Sequence, residues 1–219
     1  MPTENDCQSP SLGETRRTPG RPRVSETDRR AAFIAAAREL FVEGGYAALT
    51  TNAVAAHAKA SKRSLYEAFE SIDALFAAVV AEHSVEMLRE PPDDDALPLE
   101  EAIAFIFNLD IDEASDRYRA AFLRAAMLDQ ERFPQSHAAI VEHGIDPARR
   151  RLAGWLEQQI EAGRIVDENP DRLARLLMDL IFASSRFQPG STEDWPEREM
   201  RAEHIRWCVR TALRGLQAQ

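Results

Sequence analysis

Cysteine is almost missing: two residues in 219, Cys7 in a polar stretch and Cys208 in an apolar one, supply neither a disulfide framework nor metal-ligand spacing. Long apolar runs are missing too. None approaches the roughly 20 residues that span a bilayer, and Met1 to Val24 holds no apolar core suited to a secretory signal. Gly-rich phosphate loops, Gly-x-Ser-x-Gly and His-Glu-x-x-His are likewise absent, so the corresponding hydrolase, nucleotide and metal chemistries have no motif to stand on. These gaps predict a soluble, cytoplasmic protein with no metal and no cofactor.

With 44% hydrophobic residues, the chain has enough apolar surface for one or two globular domains. Its net charge of −10 argues at first against a polyanionic partner. The distribution reverses that argument. Residues 16–66 hold ten Lys or Arg against four Asp or Glu, a balance of +6, whereas residues 67–219 hold seventeen against thirty, a balance of −13. A basic head is joined to an acidic body.

Residues 1–24 are rich in Pro, Ser, Thr, Gly and charge, which predicts a disordered basic arm. Helical periodicity then begins with Phe33, Ile34, Ala37, Leu40 and Phe41, and Gly44-Gly45 ends it; Ser25 or Asp28 is the candidate N-cap. Thr50 or Thr51 opens a second short helix with Val54, Ala55 and Ala58 inside, and Ser61 caps a third with Leu65 and Phe69 inside. A fourth helix from about Ser71 carries Ile72, Leu75, Phe76, Val79, Val80, His83 and Met87 on one side; Pro91-Pro92 and the acids Asp93 to Asp95 stop it. Further helices are expected near 98–111, 114–131, 134–144, 146–163, 169–187 and 197–217, with Pro134, Gly144 and Pro147, Gly163, Pro170, Pro189-Gly190 and Pro196 at the junctions. No stretch alternates in the manner of a strand. The fold class is therefore all-α: a three-helix unit over residues 25–70, then a larger helical bundle over residues 71–219.

Two very short helices joined by a tight turn, the second opening with Ser61, Lys62, Arg63 and Ser64, form a helix-turn-helix, whose second helix enters the major groove of DNA. Arg63 can bond both O6 and N7 of guanine, Ser64 can donate or accept, and Tyr66 can reach a phosphate. The plainer alternative is a solvated helix face with Tyr66 in the core. Glu67 is awkward beside phosphates unless it accepts from cytosine N4. Thr50 and Thr51 sit at a helix N-terminus suited either to a phosphate or to simple capping. Arg21 and Arg23, in Gly20-Arg21-Pro22-Arg23, are either a minor-groove hook or a flexible basic linker.

The span from about 27 to 80 resembles the DNA-binding head of TetR-family transcriptional regulators, in Gly45-Tyr46, Thr50-Thr51, Val54-Ala55, Ser61, Leu65-Tyr66 and Phe69. The sequence departs from the family pattern at Lys59, Ala60, Arg63, Ala68 and Ile72, the last two standing where phosphate contacts are common. The resemblance implies a homodimeric, ligand-released repressor on a pseudo-palindromic operator in double-stranded DNA, with an unknown small-molecule effector. In the body, Phe105, Phe122, Arg124, Met127, His137, Trp155, Met178 and Phe182 are candidate effector contacts, with His143 and Asp179 as further polar candidates; core packing is the alternative for the apolar ones. Leu177, Ile181, Ile205, Cys208 and Val209 on the last two apolar stripes either pair within the subunit or meet a second copy. Two rival readings are an enzyme or small-molecule carrier with an incidental basic head, and a nucleoid-type binder indifferent to sequence.

Deleting residues 1–24 is expected to weaken DNA binding and to reduce its logarithmic salt slope by about 0.9 for each phosphate that the arm neutralises, while base preference persists. Fluorescence anisotropy titrations over a salt series measure this; an unchanged slope would remove the arm from the interface.

Overall fold

The computed structural model describes residues 25–92, 97–128, 131–166, 168–183 and 198–216. Every regular element among them is helical: α1 (Glu26–Gly44), α2 (Thr51–His57), α3 (Lys62–Ala68), α4 (Ile72–Met87), α5 (Leu99–Ile106), α6 (Glu113–Leu128), α7 (Pro134–Ile140), α8 (Asp146–Glu161), α9 (Pro170–Ala183) and α10 (Arg198–Leu216). A 3-10 turn, Tyr46–Ala48, follows α1, and a π turn, Val141–Ile145, joins α7 to α8. None of the described helices is long and apolar enough to cross a membrane. The expected arm with Arg21 and Arg23, the acids Asp93 to Asp95, and the breakers Pro189-Gly190 and Pro196 lie outside the described residues.

Local chemistry sets the ends of the first four helices. Ser25, Thr50, Ser61 and Ser71 each accept a backbone N–H from three residues on, at 3.0, 3.2, 3.1 and 3.0 Å, which satisfies one of the orphan donors of a helix start. Gly45 ends α1 at φ 67°, donating its N–H to Phe41 at 2.8 Å, a left-handed position that glycine takes without strain.

Three boundaries differ from the periodicity. Helix α4 ends at Met87, before Pro91 is reached. The helix expected to 111 stops at Ile106, because Asn108 turns to φ 50° and Leu109 closes back on the Ala104 carbonyl. The helices expected at 134–144 and 146–163 run together through the π turn without a break. Pro147 is the second residue of α8, directly after the π turn. Gly144 lies against α4: a Cβ there would stand 2.9 Å from Val80, and its carbonyl accepts from Ser84 at 3.0 Å. The extra residue of a π turn thus brings bare backbone onto α4.

Two apolar clusters form. The first gathers Phe33, Ile34, Ala37 and Phe41 of α1 with Val54, Leu65 and Phe69 of α2 and α3, and it does not end at residue 70. It continues through Leu75, Phe76, Val79 and Val80 of α4 to Phe122 and Ala125 of α6. Phe41 lies 4.9 Å, centroid to centroid, from both Phe76 and Phe122, the separation at which tilted rings attract. The second cluster packs α5, α8, α9 and α10 around Ile103, Leu152, Leu156, Leu177 and Val209. A buried Arg201–Asp116 ion pair ties α10 to α6.

Phe41→Ala should cost about 3–5 kcal/mol, since the ring is fully buried and the cavity left between three helices cannot collapse. Urea unfolding of the variant measures it; a loss below about 1 kcal/mol would mean that head and body do not share this core.

Candidate nucleic-acid interface

The helix-turn-helix is built from the inside out. Val54, Leu65 and Phe69 are buried against α1 and fix the pitch of α3. The turn holds Lys59 at φ 51°, a conformation that costs a non-glycine residue roughly 1–2 kcal/mol, while Ala60 donates to the Ala55 carbonyl at 2.9 Å. The Ser61 hydroxyl accepts from the Ser64 N–H and meets the Ser64 hydroxyl at 3.0 Å. Arg30 donates to the Ala68 carbonyl at the far end of α3 and lies over the Phe69 ring, 4.1 Å from its centroid. The reading helix is clamped at both ends.

Its outer face is open. Lys62 and Arg63 are exposed, the Arg63 side chain at 88%, and the Tyr66 ring is 57% exposed, so Tyr66 does not join the core. The Tyr66 hydroxyl meets the Thr51 hydroxyl at 3.1 Å, which ties α2 to α3 on the exposed side. Arg63 Nε donates to Glu67 at 2.9 Å, and Arg29 stands 3.8 Å from the other oxygen of the same carboxylate. Glu67 therefore orients Arg63, and the two arginines offset its charge, whatever it does at a base edge. Thr50 spends its hydroxyl on the cap of α2. The chain's only lysines, Lys59 and Lys62, both lie here, three residues apart on the exposed side.

Arg29 and Arg30 were not nominated by the sequence pattern. Their partners lie 38 residues on in each case, and nothing local announces such a pairing.

A cavity of about 290 Å³ lies between α4, α6, the π turn, α8 and α9. Of the residues expected as effector contacts, Phe122, Met178 and Phe182 line it, with Asp179 beside them. The others do not. Trp155 belongs to the second apolar cluster, and Phe105 faces outward under the Arg89 guanidinium. Arg124 and Met127 are exposed on the outer side of α6, whose inner side gives Phe122, Leu123 and Ala126 to the cavity. His137 and His143 stand outside the wall. In their place α4 supplies Val80, His83, Ser84 and Met87.

His83 is 4% exposed, with its ring 3.7 Å from that of Phe122 and Nδ1 3.7 Å from the Glu86 carboxylate. Burial pushes its imidazole below the ordinary value, and the nearby Arg38 charge pushes the same way. Glu86 is brought down to about 2 by His83 and by Arg38, whose guanidinium grips both oxygens at 2.6 Å and donates to the Tyr118 hydroxyl at 2.7 Å. That clamp joins α1, α4 and α6. No group of three His, Cys, Asp or Glu among the described residues is placed to hold a metal.

The stripes expected at a dimer interface are corrected by their burial. Leu177, Ile181, Ile205 and Val209 are all at most 4% exposed within the single chain, because α9 and α10 turn these faces onto each other and onto α5 and α8. Cys208 is half-buried, its sulfur 3.5 Å from His204. The apolar residues left outside on these helices are Leu176, Met200 and Trp207, at 43, 63 and 57% exposure.

Comparison with known proteins agrees with this architecture. The profile described as "Bacterial regulatory proteins, tetR family" matches residues 33–79, and "AefR-like transcriptional repressor, C-terminal domain" matches residues 111–216. The chain is 26% identical over 203 residues to the HTH-type transcriptional regulator YdeS of Bacillus subtilis (strain 168), covering 91% of this chain and 94% of that one. Among solved structures, Salmonella enterica GusR superposes with a TM-score of 0.66 at 22% identity, covering 86% of this chain and 95% of that one. The flavonoid-responsive regulator FrrA superposes at 0.58 and 24% identity, covering 87% and 98%. A TetR transcriptional regulator from Agrobacterium tumefaciens gives 0.61 at 24%, covering 87% and 95%.

Arg63→Ala should cost about 1–3 kcal/mol at the preferred DNA site and relax base preference there, because a side chain so exposed has no other structural duty than its bond to Glu67. Competition binding against single-base variants of the site measures it; unchanged selectivity would take Arg63 out of base reading.

Proposed function

Because the chain belongs to the TetR family of DNA-binding transcriptional regulators, we propose that it is a repressor that binds a pseudo-palindromic operator as a homodimer and is released by a small molecule. The observation that carries this reading is the double duty of α4. One side of that helix walls the cavity with His83, Ser84 and Met87; the same helix holds the head through Phe76 against Phe41 and through Asp73, which accepts from the Tyr46 hydroxyl. Ligand and DNA therefore address one element.

A seven-residue reading helix meets too few base pairs for specificity alone, and two-fold related copies double the interface with DNA. Leu176 and Trp207 give α9 and α10 an outward apolar face suited to a second copy. In the DNA-bound state Thr51 and Tyr66 hold a phosphate, Arg63 and Ser64 read base edges, Lys59 and Lys62 neutralise the backbone, and Arg21 and Arg23 enter the adjacent minor groove. Ligand shifts α4 and with it the spacing of the two reading helices. It does so only to the extent that it binds the released arrangement more tightly than the DNA-bound one. Support for a small-molecule effector also comes from FrrA, which is described as flavonoid-responsive.

Selection of bound fragments from random DNA by the purified chain should recover two inverted half-sites about one helical turn apart; recovery without sequence preference would favour the nucleoid-type binder. Trp207→Ala should weaken self-association by about 2 kcal/mol or more if this ring anchors the dimer, as read by sedimentation equilibrium. A wild-type chain that stays monomeric at micromolar concentration would contradict the dimer.

A further inference from the structure

The wall of the α4–α6–α9 cavity specifies what it takes. We propose that the effector is an uncharged, aromatic-sized molecule carrying a hydroxyl that donates to Nε2 of His83. The proposal rests on the reading of this cavity as the effector site and adds the chemistry of its occupant.

Three observations support it. First, among the described residues the wall holds no lysine and no arginine, and Asp179 is its only charged side chain. A carboxylate or phosphate entering there would lose its hydration and gain no cation, while facing a carboxylate of like sign. Second, the rest of the wall is apolar and adaptable: Met87, Leu123, Ile140, Met178 and Phe182, with the Phe122 ring able to pair with another flat ring. Ser84, one of the few polar groups there, already gives its proton to the Gly144 carbonyl.

Third, His83 is a polar side chain more than nine-tenths buried whose ring nitrogens make no hydrogen bond within the chain. Orphaned buried polar atoms are uncommon, and each calls for an explanation. The ring separates two regions of opposite character, since it lines both the apolar cavity and the polar cleft that holds Arg38, Glu86 and Tyr118. Nδ1 is on the Glu86 side, 3.7 Å from a carboxylate that only accepts, so the proton of the neutral imidazole resides on Nδ1. Nε2 is then a bare acceptor on a ring that lines the apolar cavity. The ligand must donate.

A ligand that meets these terms also stands one side chain from the Arg38–Glu86–Tyr118 clamp, so its contact with His83 lies directly behind the bond between α1 and α4.

The test uses three probes of one shape on the full chain without DNA, by isothermal titration calorimetry: naphthalene, 2-naphthol and 2-naphthoate. 2-Naphthol is expected to bind about tenfold more tightly than naphthalene, the worth of one hydrogen bond to a buried acceptor, and 2-naphthoate more weakly than either. His83→Phe, which keeps a flat ring against Phe122, should bind naphthalene and 2-naphthol alike. Ala126→Leu, which fills the cavity and leaves the His83 side chain in place, should weaken both. Tighter binding of 2-naphthoate, no binding by any of the three, or a 2-naphthol preference that survives His83→Phe would overturn the proposal. Adding 2-naphthol to the DNA complex separates the two readings: binding that leaves DNA held upholds the cavity chemistry and sinks release by ligand.

Discussion

The structure depends on one junction, where α1, α4 and α6 meet. Phe41, Phe76 and Phe122 close its apolar side and the Arg38–Glu86–Tyr118 clamp closes its polar side. A packed aromatic trio has few alternative arrangements, because displaced rings leave voids that the surrounding helices cannot fill. The clamp adds direction: a guanidinium bonded to both oxygens of a carboxylate fixes the rotation of α1 about α4 as well as its distance. Half-exposed Glu86 keeps this from being a buried charge pair, so its contribution lies in geometry more than in net stability. Without the junction, the head would be a basic three-helix unit tethered to an acidic bundle, and nothing in the bundle could be felt at α3.

Function follows from that constraint. Helix α3 is held at its start by Ser61, at its end by Arg30 and from below by Leu65, so its position is set by α1, and α1 is set by α4. Helix α4 in turn forms a wall of the cavity. The contact of Gly144 with Val80 and Ser84 presses the π turn, another wall of that cavity, onto the same helix. In the proposed release, a cavity with one charged residue and one orphaned imidazole acts on α3 through a short chain of packed elements, in which each link is a contact rather than a correlation.

The head was legible in the sequence because its determinants are local. Caps lie three residues from the N–H they satisfy, Gly45 marks a left-handed turn, and Leu65 and Phe69 are one helical turn apart. The departure at Lys59 was legible too, and the chain accepts the strain there at φ 51°. What failed to show was long-range. Apolar periodicity in α9 and α10 identified Leu177, Ile181, Ile205 and Val209 as inward but could not say whether the inward face met its own chain or another, and it met its own. Large apolar residues of the body likewise divided between core and cavity on grounds of tertiary contact: Phe122 reached the cavity, whereas Trp155 went to the core and Phe105 to the surface. Gly144 and Pro147 read as breakers, yet a π turn and a first-turn proline carried the helix through. His83 sat in the correct stripe of α4, and only the absence of partners around it, which no sequence displays, made it a candidate.

The central claim, that head and body move as one unit around α4, is most directly tested by the separation of the two reading helices in the proposed dimer. Spin labels at Glu70→Cys, an exposed position just beyond α3, in a chain whose Cys7 and Cys208 are replaced by serine, report it by double electron–electron resonance. A single narrow distribution on DNA, near the roughly 34–36 Å between successive half-sites, that moves as a whole when the cavity is filled is the predicted result. A broad distribution that filling the cavity leaves unchanged would contradict the account, since heads hinged freely at the junction could not register what the bundle binds.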